Sequence, residues 1–211
     1  MTQLLHIFGA GGHGRELAWL ARDVHGEDLD LVFLVDDESH LSGPVHGHPV
    51  RLLADVTRGG LYVAAIGDPA IRERAARACE TAGLVATTLI HPRVEHSPDR
   101  VRFGPGSVVA AGSVLTTDIA LGRHVHVNVG CTVSHDAVLE DYVTLSPGVH
   151  IAGHVTVERG AFLGTGVTVI NGTATERLVI GAGAVVAAGA VVTGSVAPGA
   201  LVAGVPAVQK R

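Results

Sequence analysis

Aromatic residues are almost missing from this 211-residue chain, where four Phe, two Tyr and one Trp make up 3% of the sequence. A core built around large rings is excluded, so the apolar 47% has to pack mainly through aliphatic side chains. Cysteine is as scarce. Cys79 and Cys131 fall in different halves, which argues against a disulfide framework and for a reducing compartment. Mean hydropathy is positive at +0.38. Even so, no apolar run approaches the roughly 20 residues needed to cross a bilayer. The N-terminus, MTQLLHIFGAGGHG, has no basic segment followed by a long apolar stretch and a cleavage site, so a cytoplasmic location is expected. A net charge of −5 without a basic run argues against nucleic acid as a partner.

What is abundant is a period of six. From Phe103 an apolar residue returns every sixth position through Val109, Leu115, Leu121, Val127, Val133, Leu139, Leu145, Ile151, Val157 and Leu163 to Val169. Four positions beyond each of these lies a second restricted residue, small or β-branched, as in Ser107, Ser113, Val125, Cys131, Ala137, Val143 and Val155. Six is neither the strand nor the helix period. Short strands with two inward positions, separated by Gly-, Asn- and Asp-rich turns, are how a parallel β-helix is written, and three hexapeptides make one coil. The phase breaks at NGTATERL and resumes at Ile180, Val186 and Val192, which predicts a loop at one edge. The prolines of PGALVAGVPA suit a terminal cap.

Residues 1–92 follow another pattern. QLLHIF, LDLVFLVDD, LYVAAIGD and LVATTLI predict four strands alternating with helices over RELAWLARDV and PAIRERAARACETAG, the second capped by Gly83. This is a small parallel α/β sheet, Rossmann-like, joined to the solenoid at HPRVEHSPDR. Gly9, Gly11 and Gly14 form G-x-G-x-x-G between the first strand and its helix. The glycines admit a pyrophosphate to the backbone, and the helix N-terminus supplies free N–H groups. Asp36 and Asp37 end the second strand, where a carboxylate accepts from ribose hydroxyls. The unit is too small for a full dinucleotide fold, so a nucleotide bearing one sugar fits better than NAD. His13, inside the loop, adds to the ligand-binding reading.

In the solenoid, His135 occupies a turn of VSHDAV with Asp136 directly after it, the pairing that builds a general base. An 18-residue coil stacks Thr117, His135, Gly153 and Asn171 in one column, with coils about 4.8 Å apart. Gly153 then sits one coil from His135, its backbone N–H placed for an acyl carbonyl and its missing side chain leaving room for the donor. The pairs His124/His126, His150/His154 and His46/His48 offer no three or four ligands at a recognised spacing, so no metal is expected. No G-x-S-x-G elbow is present, and Cys131 falls on the inward column as core.

GAGGHGRE, VDDE, AIGD, TLIHP, CTVSHDAVLEDYVTLSPGVHIAGHVTVERGAFLGTG and GALVAGVPA together resemble the bacterial sugar acetyltransferases of the left-handed β-helix superfamily. The similar branch contains the bacillosamine-pathway UDP-amino-sugar N-acetyltransferase, the perosamine N-acetyltransferase and the sialic acid O-acetyltransferases. The resemblance implies a left-handed β-helix, a homotrimer with acetyl-CoA between adjacent helices, and a nucleotide-linked amino sugar held by residues 1–92, with residues 93–211 binding acetyl-CoA and carrying catalysis. It implies His135 as base, oriented by Asp136, and CoA contacts at Gly153 and Ala182. Nucleotide contacts map to Gly11, His13, Gly14, Asp36, Asp37, Ile66 and Gly67. Thr144 stands where the bacillosamine enzyme has a second histidine. The expected reaction is N-acetylation of a UDP- or dTDP-linked 4-amino-4,6-dideoxy sugar, with sialic acid O-acetylation or a non-catalytic scaffold as alternatives.

Overall fold

The computed structural model describes residues 3–26, 29–41, 43–57 and 59–210. The chain divides into two compact units, Met1–Pro92 and Arg93–Arg211.

In the first unit β1 (Gln3–Phe8), β2 (Leu29–Val35), β3 (Val50–Leu52), β4 (Leu61–Ala64) and β5 (Val85–Ala86) form one parallel sheet in the order β3-β2-β1-β4-β5. Two helices, α1 (Gly12–His25) and α2 (Pro69–Thr81), carry the crossovers. The strands are apolar along their length because both sheet faces are covered, and Ile7, Phe33, Leu34, Tyr62 and Val63 are fully buried. Strand order reverses at β1, since β2 pairs on one side of it and β4 on the other. That switch point is where open α/β sheets leave a crevice.

Three local expectations need correction. The sheet has a fifth strand, β3, which pairs Phe33–Val35 of β2 with Val50–Leu52; a three-residue segment carries no legible alternation. LVATTLI is not one strand but two short ones, Val85–Ala86 and Leu89–Ile90. Helix α1 begins inside the glycine loop, with Gly11 as N-cap. Helix α2 ends as expected at Gly83, which takes the left-handed conformation at φ 82° and donates to Glu80 O, with Leu84 N–H donating to Cys79 O.

The second unit is a parallel β-helix, left-handed as the resemblance implies. Its strand pairs lie one 18-residue coil apart: Val114 pairs with Thr132, Ala120 with Val138, His126 with Thr144. Three ladders form the faces, through Glu95–His96 to Val191–Val192, Val101–Phe103 to Leu178–Ile180, and Val108–Val109 to Leu201–Ala203. Both inward columns are sealed, since Leu115, Val127, Val133, Leu139 and Leu145 of one and Ser107, Val125, Cys131, Ala137 and Val143 of the other are 0% exposed. Burying each aliphatic side chain is worth about 1.5–3 kcal/mol. The inward serines are tolerated because their hydroxyls pair with the backbone: Ser113 Oγ donates to Asn128 O and Ser107 Oγ to Gly122 O. Burial raises the Cys131 thiol to about 11 and that of Cys79 to about 12, which suits core residues rather than nucleophiles.

At the phase break Val157 pairs with Ile180 instead of Thr175, so the inserted residues leave the coil and the segment from Thr173 to Glu176 is exposed. At the C-terminus Val208–Gln209 turns back antiparallel on Leu201–Ala203 and occupies the edge of that ladder.

Candidate active site

Each coil of the β-helix has three corners, and their left-handed backbone positions differ in a telling way. One corner is glycine throughout: Gly112, Gly130, Gly148, Gly166 and Gly189 all have positive φ. Another holds Asp118, Asp136 and His154 at φ 55°, 60° and 55°, with no glycine. Side chains cost free energy in this conformation, so a corner that retains them in successive coils has a use for them.

That corner carries His135. Its Nδ1 lies 2.8 Å from Asp136 Oδ2, a hydrogen bond that makes Nδ1 the donor and leaves the Nε2 lone pair open. The imidazole is 54% exposed. Asp136 is held below the ordinary carboxylate value, first by the His135 hydrogen bond and then by the charges of His154, His135 and Arg177. Arg177, at the end of the inserted loop, donates to the carbonyls of Asp136 and Val155 and, through Nε, to Thr156 Oγ1 at 2.7 Å.

Gly153 stacks on His135 as the coil spacing predicts, and its missing side chain makes room for the imidazole. A Cβ there would lie 2.5 Å from His135 Cε1 and 2.7 Å from Nε2, so the bare glycine seats the imidazole itself. Its backbone N–H has no hydrogen-bond partner among the described residues. At equivalent turns of a neighbouring corner the amides are occupied: Arg123 N donates to Asp141, Arg159 N to Glu140 and Ala182 N to Glu158. Ala182 therefore lies on a different corner from His135, and its amide donates to Glu158.

Spacing along the sequence hid His154, 19 positions after His135. The structure brings the two rings to 5.2 Å, edge to face at 84°, and sets His154 Nε2 at 3.7 Å from Asp136 Oδ2. His135, Asp136 and His154 offer three ligand atoms within 4.8 Å, a grouping not expected from the sequence. His135 and Asp136 stand at hydrogen-bonding separation and satisfy each other, the arrangement of a dyad rather than of an ion cage.

In the first unit a cleft of about 410 Å³ opens at the switch point, lined by Gly9, Ala10, Gly11, Asp36, His40 and Ile66 among others. Of the predicted nucleotide residues it gathers Gly11, Asp36 and Ile66, and it adds His40, whose Nδ1 is 3.5 Å from Asp36 Oδ1. The others have partners of their own around it. Gly14 is needed because a Cβ would lie 2.1 Å from Gly9 O. His13 Nδ1 pairs with Glu16 at 3.0 Å. Asp37 caps the turn Glu38–His40 by accepting from Ser39 N, which lowers its pKa. Gly67 O and Ile66 O accept from the fully buried Arg72.

Known proteins match this arrangement over nearly its whole length. Residues 4–79 fit the PglD N-terminal domain family. A GDP-perosamine N-acetyltransferase from Escherichia coli O157:H7 is 36% identical over 190 residues, 85% of this chain and 84% of the relative. PerB from Caulobacter crescentus, solved with CoA and GDP-perosamine, superposes with a TM-score of 0.87 at 30% identity over 100% of this chain and 99% of that one. The acetyltransferase domain of PglB from Neisseria gonorrhoeae FA1090, solved with acetyl coenzyme A, gives 0.87 at 32% identity over 99% and 100%. Fold and matches define an acetyl-CoA-dependent sugar N-acetyltransferase. The chain belongs to the hexapeptide-repeat sugar acetyltransferases, alongside the GDP-perosamine N-acetyltransferase.

Proposed function

We propose that this chain transfers the acetyl group of acetyl-CoA directly to the 4-amino group of a nucleotide-linked 4-amino-4,6-dideoxy sugar, with His135 as general base. The observation that carries the reading is the 2.8 Å His135–Asp136 hydrogen bond, which points the basic Nε2 of an exposed imidazole outward beside an unengaged backbone amide. The amine nitrogen attacks the thioester carbonyl carbon and His135 Nε2 takes the amine proton. The Gly153 N–H donates to the oxyanion of the tetrahedral intermediate. As the carbon–sulfur bond breaks, the CoA thiolate leaves and takes that proton from the imidazolium, so amide and free CoA are the products. No residue is acetylated on the way.

The nucleotide is held in the cleft of the first unit, its phosphates at the N-terminus of α1 and its ribose at Asp36. The active form is a homotrimer with acetyl-CoA between adjacent β-helices, and the location is cytoplasmic, where acetyl-CoA is supplied.

Release of CoA thiol from acetyl-CoA, measured against UDP-, dTDP- and GDP-linked amino sugars, GDP-perosamine and sialic acids, tests the reading. Turnover with nucleotide-linked amino sugars alone is expected. Removal of the base by His135→Ala should lower it about 10²–10⁴-fold with the melting temperature unchanged. Near-normal turnover in that variant would contradict the base assignment, turnover with sialic acids alone would move the reaction to a hydroxyl acceptor, and no turnover with any acceptor would leave a binding scaffold.

A further inference from the structure

His154 stands beside the His135–Asp136 pair, and the reaction above does not use it. Its placement is specific. It sits at φ 55°, a conformation met with glycine at every turn of the all-glycine corner. Its backbone N–H donates to His135 O at 3.1 Å, which ties it to the coil below. Its ring meets the His135 imidazole edge to face at 5.2 Å, and its Nε2 stands 3.7 Å from Asp136 Oδ2, the oxygen that already accepts from His135 Nδ1. The side chain is only 24% exposed, against 54% for His135. The charged and titratable groups facing it are His135 and Asp136 from the coil below and Arg177 from the inserted loop, whose guanidinium holds Asp136 O and Val155 O.

We propose that His154 is a positioning residue for this acetyl transfer, holding the Asp136 carboxylate and the His135 ring in register from the next coil. This rests on His135 as base. His135 alone is exposed and would be free to turn about χ1 and χ2. Asp136 fixes it at one nitrogen, and the perpendicular His154 ring packed against it restricts rotation of the ring plane while the His154 Nε2 stands near the carboxylate oxygen that makes the contact. When His135 takes a proton during transfer, a carboxylate already in place stabilises the imidazolium without rearranging. A glycine at position 154 would satisfy the backbone and lose both restraints.

The test follows from that difference. His154→Gly removes the side chain while suiting the left-handed backbone, so folding and assembly, checked by melting and sedimentation, should be retained. Its kcat should fall about 10–100-fold, the loss typical when an orienting partner of a functional histidine is removed. KM for acetyl-CoA and for the nucleotide sugar should stay within about twofold, because a group that acts on the base and not on substrate changes only the chemical step. His154→Gln places an amide near the position of Nε2 without a titratable group. It should recover most of kcat and keep the wild-type pH profile. Unchanged kcat in His154→Gly, a rise in KM without a fall in kcat, or a Gln variant as impaired as the Gly variant would each overturn the inference. His135→Ala in the same assay separates the failures. If it stays active, the base assignment is wrong. If it collapses while His154→Gly is unaffected, only the positioning role is wrong.

Discussion

The two units of the chain build their sites in opposite ways. In the α/β unit the cleft is a meeting of loops from three different strands, held by backbone contacts: the Gly9 carbonyl packed under Gly14, and the Ile66 and Gly67 carbonyls clamped by Arg72. In the β-helix the site is a ladder, and the spatial neighbours of His135 and Asp136 are Gly153 and His154 on the next coil. In one unit a foreign side chain strikes main chain, in the other a movable ring. Substitution at the first site should cost stability, and at the second, turnover.

The largest effect that would sharpen this contrast is expected at Gly153. In Gly153→Ala the new Cβ would crowd His135 Cε1 and Nε2, so the ring swings off Asp136 while the coil persists. Steady-state assays should give a turnover loss of about 10²-fold, the scale of a misplaced catalytic group, with little change in melting temperature. Gly14→Ala should do the reverse. Its Cβ would stand 2.1 Å from a carbonyl oxygen that cannot rotate away, and overpacking of this kind costs about 1–3 kcal/mol, seen as an earlier unfolding transition of residues 1–92. If Gly153→Ala unfolds the protein and Gly14→Ala only slows it, the contrast is broken.

A smaller effect concerns acid. Burial lowers the pKa of His6 from 6.5, and burial together with Arg22 lowers that of His48, both in the first unit. For a group whose folded value is depressed, the unfolded chain binds the proton first. The stabilisation is complete above pH 6.5 and is lost as pH falls from there through the folded value. In the β-helix the lowered carboxyl is Asp136, with an ordinary value of 3.8, so its contribution is lost only below that. Hydrogen exchange at pH 7 and pH 5.5, corrected for intrinsic rates, should show the α/β unit opening more at the lower pH, and Asp136 adds no such loss to the solenoid in that range. An α/β unit equally protected at both pH values would contradict the assignment of the windows.

The solenoid was largely legible in the sequence because its pairings repeat: once the coil is 18 residues, the period puts Gly153 over His135 without any structure. His154 was missed because the columns were counted for inward residues and for the turn position of His135, and not for the left-handed position one further on. The signal was there. A hexapeptide turn that carries Asp118, Asp136 and His154 in three successive coils, where one neighbouring corner carries glycine throughout, marks a corner with side chains to use. The α/β unit was legible only in outline. Its glycine motif named a true crevice, lined by Gly11, Asp36 and Ile66, whereas the internal partners of Asp37, His13 and Gly67 were not readable, because which way each of two adjacent residues turns depends on the turn between strands, where no period applies.

The most direct test of direct transfer at the His135 corner is the structure of the His135→Asn variant held with CoA and the amino-sugar nucleotide, refined for the position of the acceptor nitrogen. The expected result is an amine within about 2.6–3.2 Å of the position of His135 Nε2, or one water away, with the CoA sulfur end at the Gly153 amide. An amine approached by some other basic side chain, or a CoA thiol ending at a corner other than that of Gly153, would contradict it.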